Sequence, residues 1–180
     1  MEEGGVSLSG RERRRRSGSG VPQEIGYHLE PGYIYFDSKE SVIRTVVGSC
    51  VAVCLWDCRL KFGGMNHFLH PVVRDPREAF PKYGNVATIA LVRMMEEAGC
   101  RSQDLRAYIF GGGHKAGTGG EKIGAANVRI ARKILRRKGI RIVTEDVGGQ
   151  MGRKVLFDVQ TGHVATLKVN ALRGSDWIEG

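Results

Sequence analysis

Two residues of this 180-residue chain have the types and setting to make and break an acyl bond, Cys50 and His67. In Thr45-Val46-Val47-Gly48-Ser49-Cys50-Val51-Ala52-Val53-Cys54-Leu55-Trp56-Asp57, a β-branched run stops at Gly48-Ser49, presents a cysteine and resumes as an apolar strand. Cys50 therefore sits where a strand bends or starts, and such a bend can expose a thiol. Gly48 permits close backbone approach or φ > 0, and the N–H groups around Ser49 and Cys50 can then point at one spot, as an oxyanion site needs. His67 follows a second glycine break, Gly63-Gly64, seventeen positions after Cys50. That is far enough for one strand to turn back and pair with the next, so that the two side chains face each other. Thiolate, not thiol, attacks carbonyl carbon, and a neighbouring imidazole is the group that takes the proton. A third polar group then orients the ring. The packing alternative is equally plain. Free cysteine is among the most buried residue types and fills space as a small hydrophobe, so spacing alone leaves both readings open.

The elements that must hold this pair follow from the pattern of apolar and breaking residues. Short strands are predicted over Ile25 to His28 and Tyr33 to Asp37, on either side of the turn dipeptide Pro31-Gly32. Val42 to Val47 and Val51 to Trp56, which carry β-branched residues, and Lys61 to Leu69, punctuated by Gly63-Gly64, are read as strands that should form the sheet carrying Cys50 and His67. After a proline-rich loop a helix opens, with Asn85 as its expected cap and Gly99 as terminator. Leu105 to Phe110 is a further strand running into Gly111-Gly112-Gly113. A second helix spans about Ala125 to Lys138, and its exposed face carries Arg129, Arg132, Lys133, Arg136, Arg137 and Lys138. Ile140 to Val147 is a strand, and Lys154 to Val159 with His163 to Val169 reads as a hairpin. Strands outnumber helices without regular β-α alternation, which implies an α+β domain: a β-sandwich or mixed sheets flanked by two main helices.

Composition narrows the function classes. Hydrophobic residues make up 41% and charged residues 26%, ordinary values for a soluble globular domain. No apolar run approaches the ~20 residues of a membrane span, and the N-terminus lacks the apolar core of a signal peptide. A cytoplasmic protein without membrane insertion is expected. Residues 1–21 are Gly, Ser, Arg and Glu with little that is apolar, so a disordered tail is expected there. Its five arginines and three glutamates account for +2 of the net charge of +9, leaving +7 in the rest of the chain. This charge is read as a solvated surface with a bias toward an acidic partner. Basic residues interleaved with aromatics, as single-strand binders use, are not evident, so nucleic acid is not an expected partner.

Four cysteines, Cys50, Cys54, Cys58 and Cys100, are read as reduced thiols. The Cys-x3-Cys-x3-Cys spacing nominates zinc only weakly, because tight sites use Cys-x2-Cys or Cys-x4-Cys turns. No metal and no organic cofactor is expected. The glycine loop after Phe110 tempts one toward phosphate binding, but it holds neither a P-loop lysine motif nor a Gly-x-Gly-x-x-Gly register. Gly111 and Gly112 are read either as flanking a substrate or as making a tight turn.

Gly48-Ser49-Cys50-Val51-Ala52-Val53-Cys54, followed by Gly64-Met65-Asn66-His67 and Pro71, resembles the signature of the CheD family, chemoreceptor glutamine deamidases of bacterial and archaeal chemotaxis. The resemblance continues through Tyr83-Gly84-Asn85, Gly111-Gly112-Gly113, Ile123-Gly124 with Asn127, Glu145-Asp146 with Gly148-Gly149, and Arg153. It covers about residues 22–169, read as a single domain, with 170–180 as a C-terminal tail. It implies the cysteine deamidase fold, Cys50 as nucleophile and His67 as general base. The family's third member is a threonine six positions before the cysteine, where this chain has Arg44. Thr45, five before, is the nearby threonine and the candidate for that role, although adjacent strand residues face opposite ways. The resemblance further implies hydrolysis of glutamine to glutamate on the cytoplasmic helices of methyl-accepting chemotaxis receptors, with a CheC-type phosphatase as an expected regulator. The competing classes are a non-catalytic receptor- or CheC-binding adaptor and a zinc-binding regulatory module.

Overall fold

The computed structural model describes residues 26–114 and 120–170. The basic N-terminal tail expected over 1–21 lies outside the described residues, as does all of the C-terminal tail beyond Asn170. Strand β4 (Val51–Asp57) shows how the layers arise. Successive strand residues face opposite ways, and in β4 both sets are apolar. Val51, Val53 and Leu55 join one core, Ala52 and Cys54 another. A strand apolar on both faces must be covered on both faces.

The first cover is helical. α1 (Gly84–Glu97) and α2 (Gly120–Arg137) bury Ala87, Leu91, Met95, Val128, Ala131 and Leu135 against Val51, Val53, Leu55 and Ile109. The second cover is another sheet. β4 lies inside a five-stranded sheet ordered β2-β5-β4-β6-β7, with β2 (Ile34–Asp37), β5 (Phe62–Phe68), β6 (Leu105–Gly111) and β7 (Arg141–Val147). Its other face packs on a four-stranded sheet ordered β1-β3-β8-β9, with β1 (Tyr27–His28), β3 (Val42–Val47), β8 (Gly152–Asp158) and β9 (Val164–Val169). Ile43, Val47, Val155 and Phe157 of the smaller sheet meet Ala52, Cys54, Met65 and Phe110 of the larger one. The result is the expected α+β architecture of mixed sheets flanked by two helices, in three layers.

Close packing on both sides of β5 explains its glycines. A Cβ on Gly63 would stand 2.9 Å from Phe157 of the smaller sheet, and one on Gly64 would stand 2.7 Å from Leu91 of α1.

Two local expectations need correction. Asn85 does not cap α1: the cap position is Tyr83, without a side-chain bond. Asn85 lies inside the first turn, where its side chain grips both the N–H and the carbonyl of Val73 at 3.0 Å. The helix's free N–H groups are satisfied instead by the preceding loop, Gly84 donating to His70 and Asn85 to Pro71. α2 begins at Gly120, earlier than the Ala125 expected from apolar periodicity.

Candidate active site

Pairing register decides whether the candidate residues meet. In the β4–β5 ladder Ala52 lies opposite His67, so their side chains project on the same side of the sheet. Cys50 stands two positions before Ala52 and keeps that side, packing half-buried against the core between the sheets. Thr45 reaches the same space from the other layer. Ile43, Thr45 and Val47 alternate inward along β3, leaving Arg44 on the outer face.

The Thr45 hydroxyl lies 2.7 Å from the Leu29 carbonyl and 2.8 Å from His67 Nδ1. A carbonyl only accepts, so the single hydroxyl proton goes to Leu29. The Thr45 oxygen then accepts from Nδ1–H. This fixes the tautomer and leaves Nε2 as the basic nitrogen. Thr45 and His67 are both buried. Burial lowers the imidazole pKa to about 4, with the nearby His28 acting in the same direction and the Leu29 backbone only partly opposing it. Burial also pushes the Cys50 thiol up. Both shifts favour the neutral thiol and neutral imidazole at rest.

The turn bearing Cys50 is held from behind. Gly113 N–H donates to the Gly48 carbonyl at 2.7 Å and Gly112 N–H to the Cys50 carbonyl at 2.8 Å. Between them, the Asn127 side-chain amide of α2 donates to the Ser49 carbonyl at 3.0 Å and to the Leu69 carbonyl, at the end of the His67 strand, at 2.9 Å. Gly111 and Gly112 thus lie directly against the Cys50 turn. A side chain on Gly111, at φ +111°, would run into the Cys50 carbonyl oxygen. Gly148 N–H in turn donates to Gly111, and His114 N–H to Gly149.

Arg153 organises the third segment at this end. Only 3% exposed, it donates to Asp146 at 2.9 Å and to the Met151 carbonyl at 2.7 Å. Its guanidinium, helped by Lys168, holds the Asp146 carboxyl below the usual carboxylate range. A cleft of about 200 Å³ opens beside the Cys50 turn, lined by Gly48, Ser49, Gly113, His114, Gln150 and Met151 among others.

The other thiols are placed differently. Cys54 is sealed in the core, with its pKa raised by burial. Cys58 lies past the end of β4, its Sγ 3.4 Å from the Asp104 carbonyl. Burial and the neighbouring Asp57 push the Cys100 thiol up to about 12. Among the described residues no three metal-ligating side chains converge. No described helix is long and apolar enough to cross a membrane.

Comparison with known proteins gives the chain a family. The family model described as CheD chemotactic sensory transduction matches residues 72–168. The chain is also 39% identical over 140 residues to the probable chemoreceptor glutamine deamidase CheD of Sulfurimonas denitrificans, covering 76% of this chain and 90% of that protein. The chain belongs to the CheD family. The probable chemoreceptor glutamine deamidase CheD of Trichlorobacter lovleyi is 41% identical over 140 residues, 77% of this chain and 87% of that one. Its counterpart in Rhodospirillum rubrum is 42% identical over 139 residues, 76% and 78% respectively.

Within this CheD domain, Asn127 is a part of the site that spacing and residue type do not single out beyond the family resemblance. Asn127 sits on the apolar face of a basic amphipathic helix, between Gly124 and Ala131. A polar amide on a face otherwise built of Gly, Val, Ala and Leu must find partners inside the protein. That local oddity is the signal that points to it.

Proposed function

We propose that this chain hydrolyses the side-chain amide of glutamines to glutamate on chemoreceptors, with Cys50 as nucleophile and His67 as general base. The observation that carries the reading is the Thr45–His67 contact, which leaves Nε2 basic on the face of the sheet from which Cys50 projects. An imidazole in this tautomer takes the thiol proton as sulfur attacks the carboxamide carbon. The tetrahedral oxyanion is received by the backbone N–H groups of Ser49 and Cys50. Protonated His67 gives its proton to the departing nitrogen, releasing ammonia and leaving a thioester. Water, losing a proton to Nε2, attacks that thioester; glutamate leaves and the thiol is restored. Because burial disfavours a resident imidazolium, the ion pair forms with the attack rather than before it.

No cofactor takes part in these steps. The substrate glutamines lie on the cytoplasmic helices of methyl-accepting receptors, which makes this a cytoplasmic enzyme tuning chemotaxis signalling. A CheC-type phosphatase covers the active-site face as regulator. The support for the substrate is the naming of the similar proteins as probable chemoreceptor glutamine deamidases. The test is mass spectrometry of a receptor cytoplasmic fragment incubated with the purified chain. Glutamine peptides should gain about one dalton with time as amide becomes acid; an unchanged fragment that nevertheless co-purifies with the chain would favour an adaptor.

A further inference from the structure

We infer that Asn127 is a positioning residue for amide hydrolysis: its side chain orients the Ser49–Cys50 peptide so that the Cys50 N–H is presented to the developing oxyanion. The inference rests on the deamidase reading above.

The chain contains no cis peptide among the described residues, and in a planar trans peptide the C=O and N–H point in opposite directions. Whatever holds the carbonyl of one residue therefore aims the N–H of the next. Three successive carbonyls of this turn are held. Gly113 N–H takes Gly48, Asn127 Nδ2 takes Ser49, and Gly112 N–H takes Cys50. The first two of these bonds turn the Ser49 and Cys50 N–H groups away from the glycine loop and α2. Neither N–H donates to another described residue.

Of the three donors, two are backbone groups of the glycine turn and one is a side chain. Only the side chain can be removed by substitution. Asn127 also uses its second proton on Leu69, two residues after His67, so one amide ties the turn of the nucleophile to the strand of the base. The fit is specific for asparagine. Serine has one proton to give, aspartate would present oxygens to two carbonyls, and glutamine carries its amide one methylene too far. The helix beneath is itself immobilised, because a Cβ on Gly124 would stand 2.5 Å from the Gly112 carbonyl oxygen. Asn127 is 0% exposed.

Two reactions of the same thiol separate positioning from mere support. Deamidation develops an oxyanion; alkylation of Cys50 by iodoacetamide displaces iodide at saturated carbon and develops none. The full chain and its Asn127→Ala variant are compared in both, with kcat and KM measured on the receptor fragment. The expected result is a kcat lowered about 10²-fold, with KM and the alkylation rate within roughly threefold of wild type. Deamidation at the wild-type rate, or deamidation and alkylation falling together, would overturn the inference. Should Asn127→Ala fail to fold, Asn127→Ser, which keeps one donor, is read in the same two assays; loss of the fold there too makes Asn127 a general structural residue and contradicts the proposal. A wild-type chain that does not deamidate removes the reaction itself, whereas an active wild type with an indifferent variant removes only the role of Asn127.

Discussion

Thr45 Oγ1 stands 2.8 Å from His67 Nδ1, so the two sheets are joined through an imidazole. The hydroxyl belongs to β3 of the smaller sheet and the ring to β5 of the larger one. Sheet packing and ring orientation are therefore one structural fact. A hydroxyl in place of the carboxylate of a serine-protease triad holds the tautomer without adding negative charge, which keeps the ring weakly basic.

Removing that hydroxyl releases the tautomer. Thr45→Val, close in volume, should lower kcat about 10- to 100-fold, while Thr45→Ser, which keeps the oxygen, should stay within a few-fold of wild type. Steady-state kinetics on a receptor fragment measure both; equal activity in Thr45→Val would show that the ring needs no such partner.

The lowered pKa of His67 makes stability depend on pH. In the folded chain the ring stays neutral down to about pH 4, whereas in the unfolded chain it binds a proton below its ordinary value near 6.5. The unfolded state therefore holds more protons between these values, and this contribution to stability falls with falling pH throughout that window. From pH 6.5 to pH 5 the loss from this residue is roughly 2 kcal/mol. Urea unfolding at pH 7 and pH 5 should show a decrease of that order, reduced in a His67→Asn variant compared at the same two pH values.

Arg153 serves a loop rather than the chemistry directly. Arg153→Ala leaves Asp146 without its chief partner and frees the Met151 carbonyl at the cleft. A loss of about 2–4 kcal/mol in urea unfolding is expected. Arg153→Lys should recover only part of it, since one ammonium does not reproduce the planar fork that reaches both acceptors.

Gly111 has no room for a side chain. Gly111→Ala adds a methyl group against the Cys50 carbonyl at a backbone angle that alanine disfavours. A melting temperature lowered by roughly 5–10 °C is expected in a calorimetric scan, together with lost deamidase activity, because the turn that yields is the one bearing the thiol.

Much of this was legible in the residues, and what was not has identifiable causes. The two-sided apolar run of β4, the glycine breaks before Cys50 and His67, and the two helices all follow from local pattern, and their pairing follows from proximity in sequence. Thr45 was harder. Its partner is a residue of the other sheet, and no local pattern shows how two sheets stack. The family's spacing falls on Arg44, whereas the inward alternation of Ile43, Thr45 and Val47 brings Thr45 to the imidazole. Asn85 looked like a cap because caps are usually side chains, but the loop's carbonyls did that work. The start of α2 is not visible in the pattern, because Gly120, Glu121 and Lys122 form its first turn without apolar periodicity.

The most direct test is the rate at which a receptor cytoplasmic fragment gains about one dalton per reacting glutamine, compared between the wild-type chain and Cys50→Ala. The wild-type chain should convert its glutamines progressively, and Cys50→Ala should leave them at the level of a control without protein. Conversion by Cys50→Ala at the wild-type rate would contradict the assignment of this thiol as nucleophile.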